Sequence, residues 1–249
     1  MRNAEFNNPR LTEVYDVECL WGRDDEFFLA FANKTPGSRV LDLGCGTGRV
    51  TLALAAAGHV VTGVDPARAS LDRAQTKAGS EKVTWVEGVA SDLSDSAFDT
   101  AVMSAHVAQF LSDDEFGDTF SDVARALVLG GRLIFDSRDP SYRAWEGWNP
   151  VDSRHQVTLD DGDTVDIWTE VTAIEGDRVD FTHHYTWPDG EELVSDASLY
   201  FRSAKTIHRL LVGAGFDVER VYGGWAGQPV GDGKDDGDGE FVVTAYTFG

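Results

Sequence analysis

The stretch from Val40 to Gly48, which reads VLDLGCGTG, constrains the fold of this chain more than any other. Its continuous apolar run is typical of a β-strand that is buried on both faces. The glycines that follow allow the backbone to turn sharply and to approach a ligand that a Cβ atom would exclude. The next segment, RVTLALAAAG, has helical spacing and ends at Gly58. The sequence therefore predicts a strand, a glycine turn and a helix, which is the geometry of a nucleotide-like cofactor site.

Predicted strands and helices alternate from residue 38 to residue 140. After the first strand, four more are predicted in the segments HVVTGVDPA, KVTWVEG, FDTAVMSAHVAQF and GRLIFDSRDP, with helical or polar segments between them. Such alternation is typical of βαβ units, whose right-handed crossovers build a parallel sheet with helices on both faces. We therefore expect residues 38–140 to form a cofactor-binding α/β core.

The sequence changes character on either side of this core. Residues 1–37 are predicted to form an N-terminal helical cap. Residues 141–201 contain four short alternating runs separated by turns such as DDGD and PDGE, a pattern typical of antiparallel hairpins. Residues 202–249 return to a helix and two strands, so residues 141–201 are interpreted as an inserted antiparallel β-meander. Residues 231–240 lack the spacing of a calcium loop and are predicted to be a hairpin loop.

Charge and cysteine content narrow the classes of partner. The chain has 249 residues and a net charge of −22, and a surface this acidic repels nucleic acid and anionic membranes. Cys19 and Cys45 are interpreted as free thiols in a reducing compartment, and no apolar run reaches the ~18 residues of a membrane span. A cytoplasmic location is expected. No cluster of cysteine and histidine suggests a metal site, so none is predicted.

Two acidic residues at strand ends indicate the charge of the ligand. The spacing around the glycines is D-x-G-x-G-x-G, with Arg49 where a dinucleotide-binding turn has its third glycine. Asp42 would repel a pyrophosphate there but would attract a cation. Asp65 ends the second strand, where a carboxylate can accept hydrogen bonds from both ribose hydroxyls. The alternative for Asp65 is an acid stabilised by a helix N-terminus.

With these features, the sequence resembles the class I S-adenosylmethionine-dependent methyltransferases. The resemblance covers about residues 38–140 and rests on VLDLGCGTG, GVD, VEGVASDL, FDTAVMSAHVAQF and RALVLGGRLIFDS. It implies a Rossmann-like, doubly wound α/β fold with a seven-stranded sheet whose last strand is antiparallel. It also implies that the meander at residues 141–201 covers the substrate.

The resemblance implies a role for residues at each strand end. Asp42, Gly44 and Gly46 would hold the methionine part of S-adenosylmethionine, and Asp65 would hold the ribose. Ser104 would lie near the amino acid moiety of the cofactor. Related sequences often carry an acid where this chain has Val89, so the adenine contact is expected from the backbone of Val89 and Ala90 or from Asp92. The full set of predicted cofactor-binding residues is Asp42, Gly44, Cys45, Gly46, Asp65, Pro66, Val89, Ala90, Ser104 and Tyr15.

The predicted reaction moves a methyl group to a small-molecule acceptor by in-line displacement, which requires alignment of a nucleophile and exclusion of water. His106, just after the fourth strand, is the candidate general base, with a structural role as the alternative. Trp21, Arg138 and Tyr185 are the candidate substrate contacts. Core packing is the favoured alternative for Trp21 and Tyr185, and a solvated side chain explains Arg138 equally well. His183 and His184 are adjacent on a predicted strand and therefore face opposite sides.

Two other functions remain open from the sequence. One is a non-catalytic protein that binds S-adenosylmethionine, since methyl transfer needs few fixed side chains. The other is a nicotinamide-dependent oxidoreductase, which Asp42 disfavours. The acceptor atom and the oligomeric state are left open.

Overall fold

The computed structural model describes residues 2–231 and 238–248, so most of the predicted loop at 231–240 lies outside the described residues. It contains a seven-stranded sheet and a separate four-stranded sheet. The strands are β1 (Arg39–Leu43), β2 (Val60–Asp65), β3 (Val83–Glu87), β4 (Phe98–Met103), β5 (Leu127–Arg138), β6 (His155–Thr158), β7 (Thr164–Glu175), β8 (Arg178–Thr186), β9 (Glu192–Tyr200), β10 (Phe216–Tyr222) and β11 (Glu240–Thr247). The helices are α1 (Ala4–Asn7), α2 (Pro9–Glu18), α3 (Arg23–Ala32), α4 (Arg49–Ala56), α5 (Arg68–Gln75), α6 (Asp113–Ala126) and α7 (Ala204–Gly213).

The large sheet has the strand order β10-β11-β5-β4-β1-β2-β3. Strands β1 to β5 pair in parallel, whereas β11 is antiparallel to both β5 and β10. The predicted seven-stranded sheet with an antiparallel last strand is thus confirmed. Because β11 runs in the opposite direction, its first residue, Glu240, lies opposite Arg138 at the carboxyl edge of β5.

Helices cover both faces of this sheet, as the alternation predicted. One face packs against α6 and α7, and the other packs against α3 and α4. Helix α6 begins at a capping box in which Ser112 accepts a hydrogen bond from the backbone of Glu115. Its apolar stripe includes Phe116 and Phe120, whose rings stack with centroids 4.1 Å apart against the sheet.

The inserted segment forms the four-stranded antiparallel sheet β6-β7-β8-β9, which confirms the predicted meander. Part of one face packs on the N-terminal helices, where Leu11 and Val14 meet Val165, Tyr185 and other apolar side chains. A second cluster of this sheet packs around two tryptophans that precede it in the chain, Trp145 and Trp148. The insert is therefore held to the core through aromatic and aliphatic contacts.

The N-terminal residues connect the two sheets. The backbone N–H of Asn3 donates to the carbonyl of Asp196 in β9 at 2.8 Å. The hydroxyl of Ser70 in α5 donates to the carbonyl of Phe6 at 2.8 Å. The chain start is thus tied to the edge strand of the insert and to a helix of the core. No helix among the described residues is long and apolar enough to cross a membrane.

Candidate functional site

A cleft of about 310 Å³, here called the glycine cleft, lies at the carboxyl edge of the large sheet. Its walls come from the ends of four strands and from the N-terminal residues. The lining residues are Asn3, Phe6, Asn7, Tyr15, Leu43, Gly44, Gly46, Asp65, Pro66, Ala67, Gly88, Val89, Ala90, Met103, Ala105, Val107, Phe110, Leu111 and Thr119. This is the edge at which open α/β sheets bind ligands.

The glycine turn leaves room for a ligand on the cleft side. Gly44 has a φ of 75°, and a Cβ atom there would lie 2.6 Å from the methyl groups of Val107. Gly46 has a φ of 52°, and a Cβ atom there would have no neighbour within 4 Å. The positive φ angles favour glycine at both positions. The space beside Gly46 opens into the cleft, so a ligand can approach the backbone closely.

Asp65 connects the end of β2 to the glycine turn. Its Oδ2 accepts a hydrogen bond from the backbone N–H of Gly46, and its Oδ1 accepts one from Ala67, both at 2.8 Å. The side chain lines the cleft and is 8% exposed, and burial raises its pKa although both hydrogen bonds oppose that rise. Because each carboxylate oxygen can accept more than one hydrogen bond, the ribose role predicted from the sequence remains open to it.

Asp42 lies behind the glycine turn and does not line the glycine cleft. Its Oδ2 accepts a hydrogen bond from the hydroxyl of Thr51 at 2.6 Å, while its Oδ1 has no hydrogen-bond partner among the described residues. Burial raises the pKa of Asp42 to about 7, with a smaller contribution from the charge of Asp65. An acceptor oxygen without a donor at this depth is expected to attract a positive charge or a donor placed next to it.

The end of β3 forms the far wall of the glycine cleft. Gly88, Val89 and Ala90 line it, as the sequence predicted for the adenine edge. The Asp92 carboxylate is occupied, since its Oδ2 accepts a hydrogen bond from the backbone N–H of Val89 at 3.0 Å. Asp92 does not line the cleft, so any contact to a base at this wall falls to the backbone and to the side chains of Val89 and Ala90.

A second cleft of about 440 Å³, here called the aromatic cleft, adjoins the first. It is lined by Glu5, Phe6, Tyr15, Glu18, Cys19, Leu20, Asp24, Arg49, Ala105, His106, Phe110, Arg138, Trp148, Phe181, His183, Tyr185 and Leu199. Phe6, Tyr15, Ala105 and Phe110 line both clefts. The ring of Phe6 contacts those of Tyr15 and Phe110 edge-on, with centroids 5.8 and 5.7 Å apart. The two clefts therefore meet at one aromatic wall.

His106 meets two carboxylates at the base of the aromatic cleft. Its Nε2 lies 2.8 Å from Oε2 of Glu240 and 3.4 Å from Oδ2 of Asp136. Its backbone N–H donates to Oδ1 of Asp136 at 2.9 Å, and its φ of 62° is in the left-handed region. Asp136 is 1% exposed, and burial raises its pKa.

These three residues, here called the His106 cluster, each offer one ligand atom, and the atoms lie within 4.8 Å of one another. Within the described ranges this is the group of histidines and acids that comes near metal-ligand geometry. The sequence predicted no metal site, and that expectation stays a prediction.

Arg138 and His183 complete the polar part of the aromatic cleft. The Nη1 of Arg138 donates to Oε1 of Gln109 at 3.2 Å, and burial lowers the pKa of this guanidinium. The Nδ1 of His183 lies 2.6 Å from the hydroxyl oxygen of Thr169, and burial lowers the pKa of His183 to about 4. His183 is thus an uncharged wall residue at neutral pH.

The structure brings most of the predicted residues together. Of the predicted cofactor residues, those that line the glycine cleft are Gly44, Gly46, Asp65, Pro66, Val89, Ala90 and Tyr15. Asp42, Cys45 and Ser104 are buried next to it without lining it. Of the other predicted residues, His106, Arg138 and Tyr185 line the aromatic cleft, whereas Trp21 is 44% exposed and lines neither cleft.

Several residues of the site were not found from the sequence. Asn3, Phe6 and Asn7 line the glycine cleft, but nothing in their local pattern distinguishes them from a polar chain start. Asp136 and Glu240 could have been found from their positions in the predicted strands. Asp136 lies two residues before the end of the parallel strand β5, and Glu240 begins the antiparallel strand β11, so both lie at the same edge of the sheet.

Residues 40–131 match a family described as a methyltransferase domain. A cypemycin N-terminal methyltransferase from a Streptomyces species is 41% identical over 107 residues, which are 42% of this chain and 44% of the relative. A ubiquinone biosynthesis O-methyltransferase from Rhizobium leguminosarum bv. trifolii (strain WSM2304) is 35% identical over 136 residues, which are 53% of this chain and 51% of the relative. This chain spans about half the length of these two curated relatives.

A solved S-adenosylmethionine-dependent methyltransferase from Clostridium acetobutylicum ATCC 824 resembles the whole chain in structure. The TM-score is 0.73 at 18% identity, with 96% of this chain and 98% of the solved chain covered. At this level of identity the likeness shows the fold alone. It includes the inserted sheet and the N-terminal helices, because nearly all of both chains superpose.

Proposed function

Because the α/β core of this chain belongs to the class I S-adenosylmethionine-dependent methyltransferases, we propose that the protein transfers a methyl group from S-adenosylmethionine to a small-molecule acceptor. The glycine cleft is proposed as the cofactor site and the aromatic cleft as the acceptor site. The open space at Gly46, the carboxylate of Asp65 and the Oδ1 of Asp42 support the cofactor assignment. The wall shared by the two clefts carries the functional assignment.

The residues of the glycine cleft fit the cofactor. The open space at Gly46 admits a ligand against the backbone, and the Asp65 carboxylate borders that space. The Oδ1 of Asp42, which lacks a donor among the described residues, provides negative charge behind the turn, where the cofactor would carry positive charge. Gly44 and Gly46 would contact the methionine part, with Asp42 acting electrostatically from behind the turn, while Asp65 would hold the ribose and Val89 with Ala90 the base.

The observation that carries the proposal is the wall shared by the two clefts. Phe6, Tyr15, Ala105 and Phe110 line both of them, so the two clefts adjoin at these side chains and a ligand in one lies beside the space for a ligand in the other. Methyl transfer requires this arrangement, because donor and acceptor must meet in line at contact distance.

The side chains around the shared wall position the reactants and exclude water. When bound, S-adenosylmethionine supplies an electrophilic methyl group that a nucleophile displaces in line. Tyr15 is half-buried, and the desolvation of its phenol raises the pKa of that group and keeps it uncharged. Holding two reactants in alignment can lower the activation barrier by about 7–11 kcal/mol. The aromatic wall is therefore proposed to align the donor with the acceptor and to exclude water from them.

The acceptor is proposed to contact His106, Arg138 and Tyr185, which line the aromatic cleft. One of the two curated relatives is an N-terminal methyltransferase and the other is an O-methyltransferase, so they support methyl transfer without selecting the acceptor atom. The net charge of −22 argues against a nucleic acid as the acceptor. Cys19 and Cys45 are free, which supports a reducing compartment such as the cytoplasm.

The test is turnover of the cofactor with a library of small amines, phenols, alcohols and carboxylic acids. We expect formation of S-adenosylhomocysteine with at least one acceptor class, together with a product heavier by one methylene group. Stoichiometric binding of S-adenosylmethionine without turnover across the library would favour the non-catalytic alternative.

A variant in the aromatic cleft distinguishes acceptor binding from cofactor binding. Trp148 lines the aromatic cleft but not the glycine cleft. Trp148→Ala is expected to leave the affinity for S-adenosylmethionine within about twofold and to raise the acceptor KM about tenfold, by the loss of ~1.4 kcal/mol of contact. An equal loss of cofactor affinity would contradict the division into two clefts.

A further inference from the structure

We infer that the guanidinium of Arg138 binds a carboxylate of the acceptor, so that the substrate class is small carboxylic acids that are methylated at another atom. This inference rests on the proposed function, since it takes the aromatic cleft as the acceptor site. It adds the substrate class, which the names of the relatives do not select.

Arg138 is held at the end of β5 by a buried glutamine. Gln109 is 0% exposed, and its Oε1 accepts hydrogen bonds from the backbone N–H and from Nη1 of Arg138, at 3.3 and 3.2 Å. The Nε2 of Gln109 donates to the carbonyl of Tyr200 in β9 at 3.4 Å, which fixes the orientation of the amide. The guanidinium is therefore positioned before any ligand binds.

Most of the hydrogen-bond donors of Arg138 are unused. A guanidinium has five N–H groups, and within the described ranges a single one of them, on Nη1, has a partner. None of its nitrogens is a buried atom without a partner, and the side chain lines the aromatic cleft, so the free N–H groups reach the open space of the cleft. A half-buried charge with unused donors is costly, and a carboxylate would supply both the opposite charge and the acceptors.

Arg138 differs in this respect from the other charged side chains of the aromatic cleft. Each of the others has a partner, in the pairs Glu5–Ser195, Glu18–His155, Asp24–Arg49 and His106–Glu240. Among the described residues, no carboxylate lies within 4.0 Å of the guanidinium of Arg138. Asp136 and Glu240 act on its charge over a longer distance, and both face His106. Arg138 is thus the cation of this cleft that is left for a ligand.

Two uncharged polar side chains of β8 line the same cleft. Burial lowers the pKa of His183 to about 4, and the charge of Arg138 contributes to that decrease, which places the two side chains near each other. The Nδ1 of His183 is occupied by Thr169, whereas its Nε2 and the hydroxyl of Tyr185 have no hydrogen-bond partner in the described part of the chain. These groups can add hydrogen bonds to a bound carboxylate without competing for it as charges.

Aromatic rings next to Arg138 suit the carbon framework of such an acceptor. The Cζ atom of Arg138 lies 5.8 Å from the ring centroid of Trp148, and the rings of Trp148 and Phe181 have centroids 4.8 Å apart. Both rings line the aromatic cleft, so apolar surface directly adjoins the guanidinium.

The bound carboxylate is proposed as an anchor, not as the methyl acceptor. A guanidinium and a carboxylate form two parallel N–H···O bonds, which engage both oxygens. Arg138 does not line the glycine cleft, so the atom that receives the methyl group lies elsewhere on the acceptor, towards the wall at Phe6 and Phe110. The net charge of −22 opposes the distant approach of an anion, but at physiological ionic strength screening limits that effect to about 8 Å, and local contacts decide the binding.

The experiment measures binding of a matched pair of probes to the protein saturated with S-adenosylhomocysteine, at neutral pH and about 0.15 M salt. The probes are 3-phenylpropionate and 3-phenylpropionamide, which have similar size and differ in charge. We expect the carboxylate to bind about tenfold or more tightly than the amide, by calorimetry or by ligand-detected NMR, because hydrogen bonds between charged groups are the stronger ones.

Arg138→Gln should remove this preference, with carboxylate binding about tenfold weaker and the affinity for S-adenosylhomocysteine within about twofold of wild type. The matched control is Arg132→Gln on the same strand, which removes an ion pair with Glu219 and lines neither cleft. The control should keep the preference for the carboxylate.

Equal binding of the two probes to the wild-type protein would overturn the inference, and this comparison does not depend on the folding of any variant. A preference for the carboxylate that Arg138→Gln leaves intact would overturn it as well. Failure of the proposed function is separately visible, because the protein would then not bind S-adenosylhomocysteine in the first place.

Discussion

Asp42 and Asp65 illustrate how two residues with similar sequence signals acquire different properties. Both are acids at the ends of buried strands, yet Asp42 lies behind the glycine turn and Asp65 lies on the cleft side. Asp65 holds Gly46 and Ala67 through its two oxygens, whereas Asp42 keeps one oxygen without a partner among the described residues. The direct contact to a cofactor is therefore expected from Asp65, and the influence of Asp42 is expected to be electrostatic.

Replacement of Asp65 tests its proposed contact with the ribose. Asp65→Ala removes both the candidate acceptor for the ribose hydroxyls and the link between Gly46 and Ala67. Since hydrogen bonds to a charged group contribute about 1.5–3 kcal/mol, we expect the Kd for S-adenosylmethionine to rise about tenfold to a hundredfold. The variant should remain folded, as judged by circular dichroism, and calorimetry measures the affinity.

The matched control is Asp72→Ala, which removes an exposed carboxylate that pairs with Arg68 on α5. This control should bind the cofactor with wild-type affinity. If Asp65→Ala also binds like the wild type, the ribose assignment is wrong.

The sequence predicted which single residues belong to the site better than it predicted which residues they contact. His106 could be placed after β4 from local pattern alone, but its contact with Glu240 joins positions 134 residues apart. Such a contact depends on the position and direction of β11 in the sheet. The sequence pattern indicates which residues end a strand, whereas the partner across the sheet requires the strand order.

At the scale of elements, the N-terminal residues are the least predictable and among the most consequential. They were predicted as a helical cap, and α1 with α2 places Phe6 and Tyr15 at the shared wall. The anchor to β9 includes Glu5, whose carboxylate accepts a hydrogen bond from the hydroxyl of Ser195 and is 6% exposed. Burial raises the pKa of Glu5 to about 7, with a smaller contribution from the charge of Asp196.

This anchor predicts a pH dependence of stability. The folded protein keeps the Glu5 proton up to about pH 7, whereas the unfolded chain releases it near pH 4.5, the ordinary pKa of a glutamate side chain. Across that window the folded state binds more protons, so the free energy of unfolding falls as the pH rises. We expect Glu5→Gln to remove about 2–3 kcal/mol of this decrease between pH 5 and 8, as measured by urea unfolding.

Other buried carboxyls, including Asp42 and Asp136, have raised pKa values and act in the same direction, so the comparison must be between variants. Glu192→Gln, at an exposed carboxylate of the same strand β9, is the control and should keep the wild-type slope. Identical slopes for Glu5→Gln and the control would contradict the role of the anchor.

The strands and helices themselves were largely predictable, because periodicity and turn residues are local signals. The βαβ core and the four-stranded insert follow from such signals, and both are present. The aromatic cleft was not predictable in the same way. Its walls come from the packing of the inserted sheet, the N-terminal helices and the core against one another, and no local pattern encodes that packing.

At the scale of the whole molecule, each of the two sheets contributes to a different cleft. The large sheet positions the glycine cleft at its carboxyl edge, and the insert with the chain start closes the aromatic cleft above it. The protein carries a net charge of −22, and the cofactor proposed for its site carries positive charge at the sulfonium. Such a field would favour the encounter with cationic ligands, and added salt would weaken it.

Calorimetric titration of the purified protein with S-adenosylmethionine, and separately with NAD, tests the central claim most directly. At pH 8, above the Asp42 pKa that burial raises to about 7, we predict saturable binding of one S-adenosylmethionine per chain and no detectable binding of NAD, because the ionised carboxylate behind the glycine turn suits a cation and opposes a pyrophosphate. Binding of NAD without binding of S-adenosylmethionine would contradict both the cofactor assignment of the glycine cleft and the proposed methyl transfer.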